Sequence, residues 1–385
     1  MKLADRMSNL GTETAFEVLA KARKLEAEGK SIIHLEIGEP DFPTPENICE
    51  AAIRSIHAGD THYTPSAGTP ELRKTIADYI SRTRGIECHP DEVVMTPGAK
   101  PIMFFAILAL VNEGDEVIYP NPGFPIYESM IKFVGGTPVP IKLEEKRDFA
   151  FDINDFKKLI TKKTKMVILN TPQNPTGGIL TEDEIRQIAK VLEAYPAIVI
   201  LSDEIYSRLV FKGDHFSITQ IPGFKERTII LDGFSKTYAM TGWRAGYGVM
   251  HPDLANKIAQ LMTNSNSCTN AMVQKACIEA YEGPQDSVEK MKVEFIIRRD
   301  MIVEGLNSIK GFSCIVPQGA FYAFPNITKT GYVSKELNDH LLYNGGVAAL
   351  AGTSFGEFGE GYLRFSYANS RENILEAIKR IKNVI

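Results

Sequence analysis

Two segments decide the reading of this chain: Thr228-Ile229-Ile230-Leu231 and, shortly after it, Ser235-Lys236-Thr237-Tyr238-Ala239-Met240-Thr241-Gly242-Trp243-Arg244-Ala245-Gly246. The first has no polar alternation, as expected of a strand buried on both faces in a mostly parallel sheet. Four runs of the same texture stand upstream: Glu92-Val93-Val94-Met95, Glu116-Val117-Ile118-Tyr119, Met166-Val167-Ile168-Leu169 and Ile198-Val199-Ile200-Leu201. Between two of them, Thr181-Glu182-Asp183-Glu184 reads as a capping box leading into Ile185 to Tyr195 at helical spacing. Strand runs alternating with helical stretches predict an α/β domain, with helices on both faces of a mainly parallel sheet.

The chain has 385 residues, more than one hydrophobic core organises, so a second domain is expected. A helical stretch from Thr14 to Gly29 opens it. After about residue 282 the pattern becomes α+β: a charged helical stretch from Asp286 to Ser308, strand-like Phe321-Tyr322-Ala323-Phe324-Pro325, and a helix from Ser334. Strand-like Tyr362-Leu363-Arg364-Phe365-Ser366 and a closing helix from Arg371 complete it. The expected division is a large domain over 45–282 and a smaller α+β domain over 1–44 and 283–385, built from both chain ends.

Composition narrows the function. The 44% hydrophobic and 24% charged residues are those of an ordinary globular protein, and a net charge of −5 argues against a nucleic-acid binder. The most apolar stretch, Ile102 to Val111, is too short for a membrane span, and the N-terminus resembles no signal peptide. Five dispersed cysteines fit free thiols in a reducing cytoplasm, and seven histidines show no metal-ligand spacing.

In doubly wound sheets ligands gather beyond the carboxyl ends of the strands. After Val94-Met95 comes Thr96-Pro97-Gly98-Ala99-Lys100 leading into a helix, a turn whose free N–H groups suit a phosphate. After Ile118-Tyr119, Pro120-Asn121-Pro122-Gly123-Phe124-Pro125-Ile126-Tyr127 can present Phe124 as a flat plate. Asn170-Thr171-Pro172-Gln173-Asn174-Pro175-Thr176-Gly177 follows the next run, and Ser202-Asp203-Glu204-Ile205-Tyr206 the one after. A carboxylate such as Asp203 at the end of a buried strand is costly unless paired, and a protonated pyridine nitrogen would pair it. Finally Ser235-Lys236, with Arg244 eight residues on, suits an amine that forms an imine with an aldehyde cofactor whose phosphate is held by hydroxyls and a guanidinium; pyridoxal phosphate fits. Read singly, each piece has an ordinary alternative: a strand–helix turn, a core aromatic, a turn asparagine, an N-capping aspartate, a surface lysine.

Taken in order, the set resembles the class I and II aminotransferases, pyridoxal-phosphate enzymes of fold type I, in their aspartate/aromatic branch. The likeness begins at Gly38-Glu39-Pro40-Asp41-Phe42-Pro43-Thr44-Pro45, continues through Tyr63-Thr64-Pro65-Ser66-Ala67-Gly68 and Leu72-Arg73, and ends at Tyr362-Leu363-Arg364-Phe365-Ser366. Asn174-Pro175-Thr176-Gly177 and the segment from Ser235 to Gly246 are its most specific parts. The resemblance implies that Lys236 is the imine lysine and proton carrier, that Asp203 holds the pyridine nitrogen, and that Asn174 and Tyr206 meet the phenolic oxygen. Phe124 would stack on the ring, and the phosphate would meet Gly98, Ala99, Lys100, Ser235, Arg244, and Tyr63 reaching over from a second subunit. Arg364 would clamp the substrate carboxylate, assisted by Asn174 and Gly38. A homodimer with shared active sites follows from the role of Tyr63.

The implied reaction is ping-pong transamination from an L-amino acid to a 2-oxo acid, with 2-oxoglutarate the expected acceptor. Lys100 matches the place where one branch of relatives meets a distal carboxylate, which favours a dicarboxylic amino acid or 2-oxoglutarate as one partner; Phe16, Phe124 and Tyr322 as pocket walls favour aromatic donors. The same scaffold hosts C–S lyases and other α-carbanion chemistry, and regulators that only bind the cofactor. For a regulator, the three dozen residues before Gly38 leave no room for a winged helix.

Overall fold

The computed structural model describes residues 1–385. Eight strands form the central sheet: β1 (Val93–Pro97), β2 (Glu116–Asn121), β3 (Thr137–Glu144), β4 (Ala150–Phe151), β5 (Thr164–Asn170), β6 (Val199–Asp203), β7 (Thr228–Gly233) and β8 (Ala245–Val249). Their order is β1-β8-β7-β6-β5-β2-β3-β4. The five central strands, β7 to β3, pair in parallel, whereas β8 runs antiparallel to both neighbours and β4 runs antiparallel to β3.

The unbroken apolar runs are explained by burial on both faces. Successive strand side chains point to opposite sides. Ile118, Val167, Leu169 and Ile200 pack on one side with Ile185, Ile188 and Leu192. Their neighbours Val117, Ile168, Leu201 and Ile229 pack on the other with Ile102, Phe105 and Ile258. The expected helix after Thr181 spans Glu182–Leu192, and its capping box is formed.

Three strands of the central sheet were not anticipated. β3 carries Pro138 and Pro140, which argue against a strand and are tolerated here close to the sheet edge. Its edge partner β4 is only two residues long. In β8, the sequence Ala-Gly-Tyr-Gly-Val lacks the unbroken apolar run of the anticipated strands. Its glycines have a packing cause: a Cβ on Gly246 would run into the backbone of Gly98 and Ala99, and one on Gly248 would meet Ile102.

The chain ends meet. Ile33–His34 pairs in parallel with Val347–Ala348. Val18, Ala22 and Leu25 of helix α1 (Thr14–Ala27) pack with Leu342, Ala348 and Leu350. Leu363–Ser366 lies between Tyr322–Ala323 and Leu350–Ala351 in a small antiparallel sheet, so the longer strand expected from Phe321 to Pro325 is confined to two residues. No helix is long and apolar enough to cross a membrane.

Candidate active site

The parallel register aligns strand ends. Asn170 of β5 lies beside Asp203 of β6, and Asp203 beside Leu231 of β7. A cavity of about 530 Å³ opens there, of a size suited to a small ligand or cofactor. Helix α2 (Lys100–Leu110) turns its first residues to it, and the segment from Ile37 to Glu39, the residues around the start of α1 and Arg364 complete the wall.

Asp203 and Lys236 are its central charges. The Asp203 carboxylate is buried, makes no ion pair, and accepts hydrogen bonds from Tyr127 Oη at 2.5 Å and Ile205 N at 3.3 Å. Burial pushes its pKa up to about 6, with the Tyr127 bond opposing the rise. Lys236 Nζ donates to the Gly38 carbonyl at 2.7 Å. Burial brings its pKa down to about 8; Glu39 opposes this while Lys100 and Arg364 add to it. An amine within about a unit of neutrality keeps a substantial unprotonated fraction, which nucleophilic attack requires.

At one end of the cavity, the antiparallel pairing of β1 with β8 sets Thr96 opposite Gly246 and Pro97 opposite Ala245. The Gly98-Ala99 turn is thereby laid against Arg244. Gly98 has φ of 86°, and a Cβ there would collide with the Arg244 guanidinium. Helix α2 begins at Lys100 with no side-chain cap, leaving its first N–H groups to an outside acceptor. Arg244 donates only to main-chain carbonyls, Thr241 at 2.8 Å and Pro97 at 3.4 Å. Ser235 lines the same end.

At the opposite wall, Arg364 Nη1 donates to Asn174 Oδ1 at 3.0 Å and Nη2 donates to the Glu36 carbonyl. Its Nε is buried without a partner. The guanidinium lies over the Tyr322 ring at 4.5 Å, and Tyr322 and Tyr206 share a hydroxyl–hydroxyl bond of 2.7 Å. Lys100 is paired with Glu13 and sits 5.4 Å over the Phe124 ring; Thr241 donates to Glu39.

Lys236, Asp203, Tyr206, Asn174, Phe124, Ser235, Arg244, Ala99, Lys100, Gly38 and Arg364 all line this cavity. Gly98 sits just behind the lining. Tyr63 is elsewhere: it is 89% exposed and borders a separate depression with Cys268 and Asn270. Several participants escaped the sequence reading. Tyr127 ends the proline-bounded segment after Ile118-Tyr119, and nothing local in sequence points to a bond with a residue 76 positions away. Glu13 and Glu39 give no local signal beyond being acidic.

A buried polar cluster sits behind Asp203. Arg84 donates to Glu204 at 2.8 Å and Asp232 at 2.9 Å, tying together the ends of β6 and β7. Glu204 also accepts from Ser202 at 2.8 Å and Ser217 at 2.6 Å, and meets His215 at 2.9 Å. Burial alone would raise the Glu204 pKa, but His215 and Arg84 outweigh it and hold the group well below the usual carboxylate range.

The free valences fit a flat, phosphate-bearing, cationic ring. A buried carboxylate lacks a cation, an uncapped helix start lacks an acceptor, and Arg244 lacks an anion. The comparisons agree. A family profile described as aminotransferase class I and II matches residues 30–381. An aspartate aminotransferase of Bacillus sp. (strain YM-2) is 42% identical, over 100% of this chain and 99% of that protein. Among solved structures, the aspartate aminotransferase from Thermus thermophilus with maleate superposes with a TM-score of 0.96 at 33% identity, covering 100% of both chains. An aromatic aminotransferase from Pyrococcus horikoshii OT3 gives 0.90 at 35% identity, covering 95% of this chain and 98% of that one.

Proposed function

The chain belongs to the class I and II aminotransferases, pyridoxal-phosphate-dependent enzymes, and on that premise we propose that it moves the α-amino group of aspartate or an aromatic amino acid to 2-oxoglutarate, with Lys236, Asp203 and Arg364 at the centre of the site. The observation that carries this reading is the convergence in one cavity of a part-buried amine, a buried carboxylate without a cation and a buried guanidinium with a free Nε.

When bound, pyridoxal phosphate supplies an aldehyde for an amine and a ring that takes up the electron pair left when Cα loses its proton. Asp203 would hold the ring nitrogen, Asn174 and Tyr206 the phenolic oxygen, and Phe124 one ring face. The Gly98-Ala99-Lys100 turn, Ser235 and Arg244 would hold the phosphate. Asp203 matters most electrostatically, since a carboxylate in a dry site stabilises a cation far better than one in water. Arg364 takes the substrate α-carboxylate, with Asn174 and the Gly38 N–H assisting, and so orients Cα toward Lys236. Lys236 Nζ, freed once the substrate amine is in place, takes up the Cα proton; its depressed pKa suits it to that exchange near neutral pH.

Tyr63, being exposed and remote from its own cavity, is assigned to the phosphate of a second copy's site, in a homodimer. The division into 45–282 and 1–44 with 283–385 is supported by the pairing of the two chain ends. Five free cysteines, three of them buried, favour a reducing cytoplasm. The donor is tested by comparing kcat/KM for aspartate, alanine and phenylalanine with 2-oxoglutarate as acceptor. Aspartate or phenylalanine should lead; a clear lead for alanine would overturn this donor assignment.

A further inference from the structure

The cavity holds four cations, and the reading above employs three of them. Arg244 serves the phosphate, Lys236 the amine exchange and Arg364 the α-carboxylate. Lys100 is the one left for a substrate's side chain, and its ammonium is already engaged by the carboxylate of Glu13. That engagement is unforced by local structure. Glu13 occupies the N-cap position of α1 but makes no side-chain cap bond; it reaches across to the first residue of α2 instead. The Glu13 side chain is only 19% exposed and the Lys100 side chain 48%. The pair therefore stands at the rim, with the carboxylate as the better covered partner.

We propose that Glu13 is a specificity-determining residue, occupying on Lys100 the position that the distal carboxylate of a dicarboxylic substrate would need. With the pair closed, Lys100 is neutralised and the site accepts an uncharged side chain against Phe16 and Phe124. A distal carboxylate reaches Lys100 only by displacing Glu13, because two carboxylates on one ammonium repel each other. Glu13 thus acts against dicarboxylates without contacting uncharged substrates. The inference rests on the aminotransferase reading, with Arg364 as the α-carboxylate clamp.

The test is calorimetric binding of two unreactive probes to holoenzyme: maleate, with two carboxylates, and 3-phenylpropionate, with one carboxylate and an apolar tail. Glu13→Gln keeps the shape and removes the charge. It should tighten maleate about fivefold, the scale of a part-exposed ion pair, and leave 3-phenylpropionate within about twofold. In a Lys100→Met background the same substitution should change neither probe. Unchanged maleate binding, equal tightening of both probes, or the same tightening of maleate without Lys100 would overturn the proposal. If neither probe binds the wild-type holoenzyme, the Arg364 clamp falls first and takes this proposal with it.

Discussion

Tyr127 shows how much of a site can rest on one hydroxyl. Its bond to Asp203 favours the ionised carboxylate, against burial that favours the protonated one. Removing the hydroxyl takes away the largest opposition to burial and leaves the Ile205 N–H and the Lys236 charge, so the Asp203 pKa rises above its value of about 6 in the free protein. Below that pKa the carboxylate that should hold the ring nitrogen is lost. In Tyr127→Phe, cofactor binding to the apoprotein should therefore fail at a higher pH as acid is added, a shift followed by titrating apoprotein with pyridoxal phosphate across pH 5 to 8. An unmoved acid limb would count against the pairing. The sequence could supply Asp203, because a carboxylate after a buried strand stands out against its apolar run. It could not supply Tyr127, because the contact joins the first turn of a helix, Ile126–Phe133, to the end of β6, and only the folded sheet brings the two together.

At the level of elements, the site depends on the alignment of β6 and β7, whose ends carry Asp203 and lead into Lys236. Arg84 bridges these ends through Glu204 and Asp232 from a helix, Pro70–Arg84, that does not touch the cavity. Truncating it leaves buried Asp232 without a cation and buried Glu204 with His215 alone. Arg84→Met should cost about 3–5 kcal/mol in denaturant unfolding, the usual penalty for breaking a buried ion pair from one side; a loss under about 1 kcal/mol would show the bridge to be dispensable. The parallel strands were legible because burial on both faces leaves a run of apolar residues. β8 was not, because its glycines answer to the approach of the Gly98-Ala99 turn, a tertiary demand that erases the strand's own signature. β3 was hidden by its prolines, which a strand next to the sheet edge tolerates.

For the whole molecule, the proposed reading requires two copies, since it has each site borrow Tyr63 from its partner. A mixing experiment at this scale uses two impaired proteins, Lys236→Ala and Tyr63→Ala. In a mixed dimer one site carries both defects and the other carries neither, so refolding an equimolar mixture should restore activity beyond the sum of the two alone. Activity equal to that sum would contradict a shared site. The expectation of a dimer comes only through resemblance, because exposure of one tyrosine in a single chain names no partner. The central claim, that Lys236 and the residues around it work pyridoxal phosphate as an aminotransferase, is tested most directly by the visible spectrum of the purified holoenzyme. Adding aspartate or phenylalanine should bleach the bound cofactor's absorbance, adding 2-oxoglutarate should restore it, and Lys236→Ala should show no such cycle and no turnover. A spectrum indifferent to every amino acid tried, or wild-type turnover in Lys236→Ala, would contradict it.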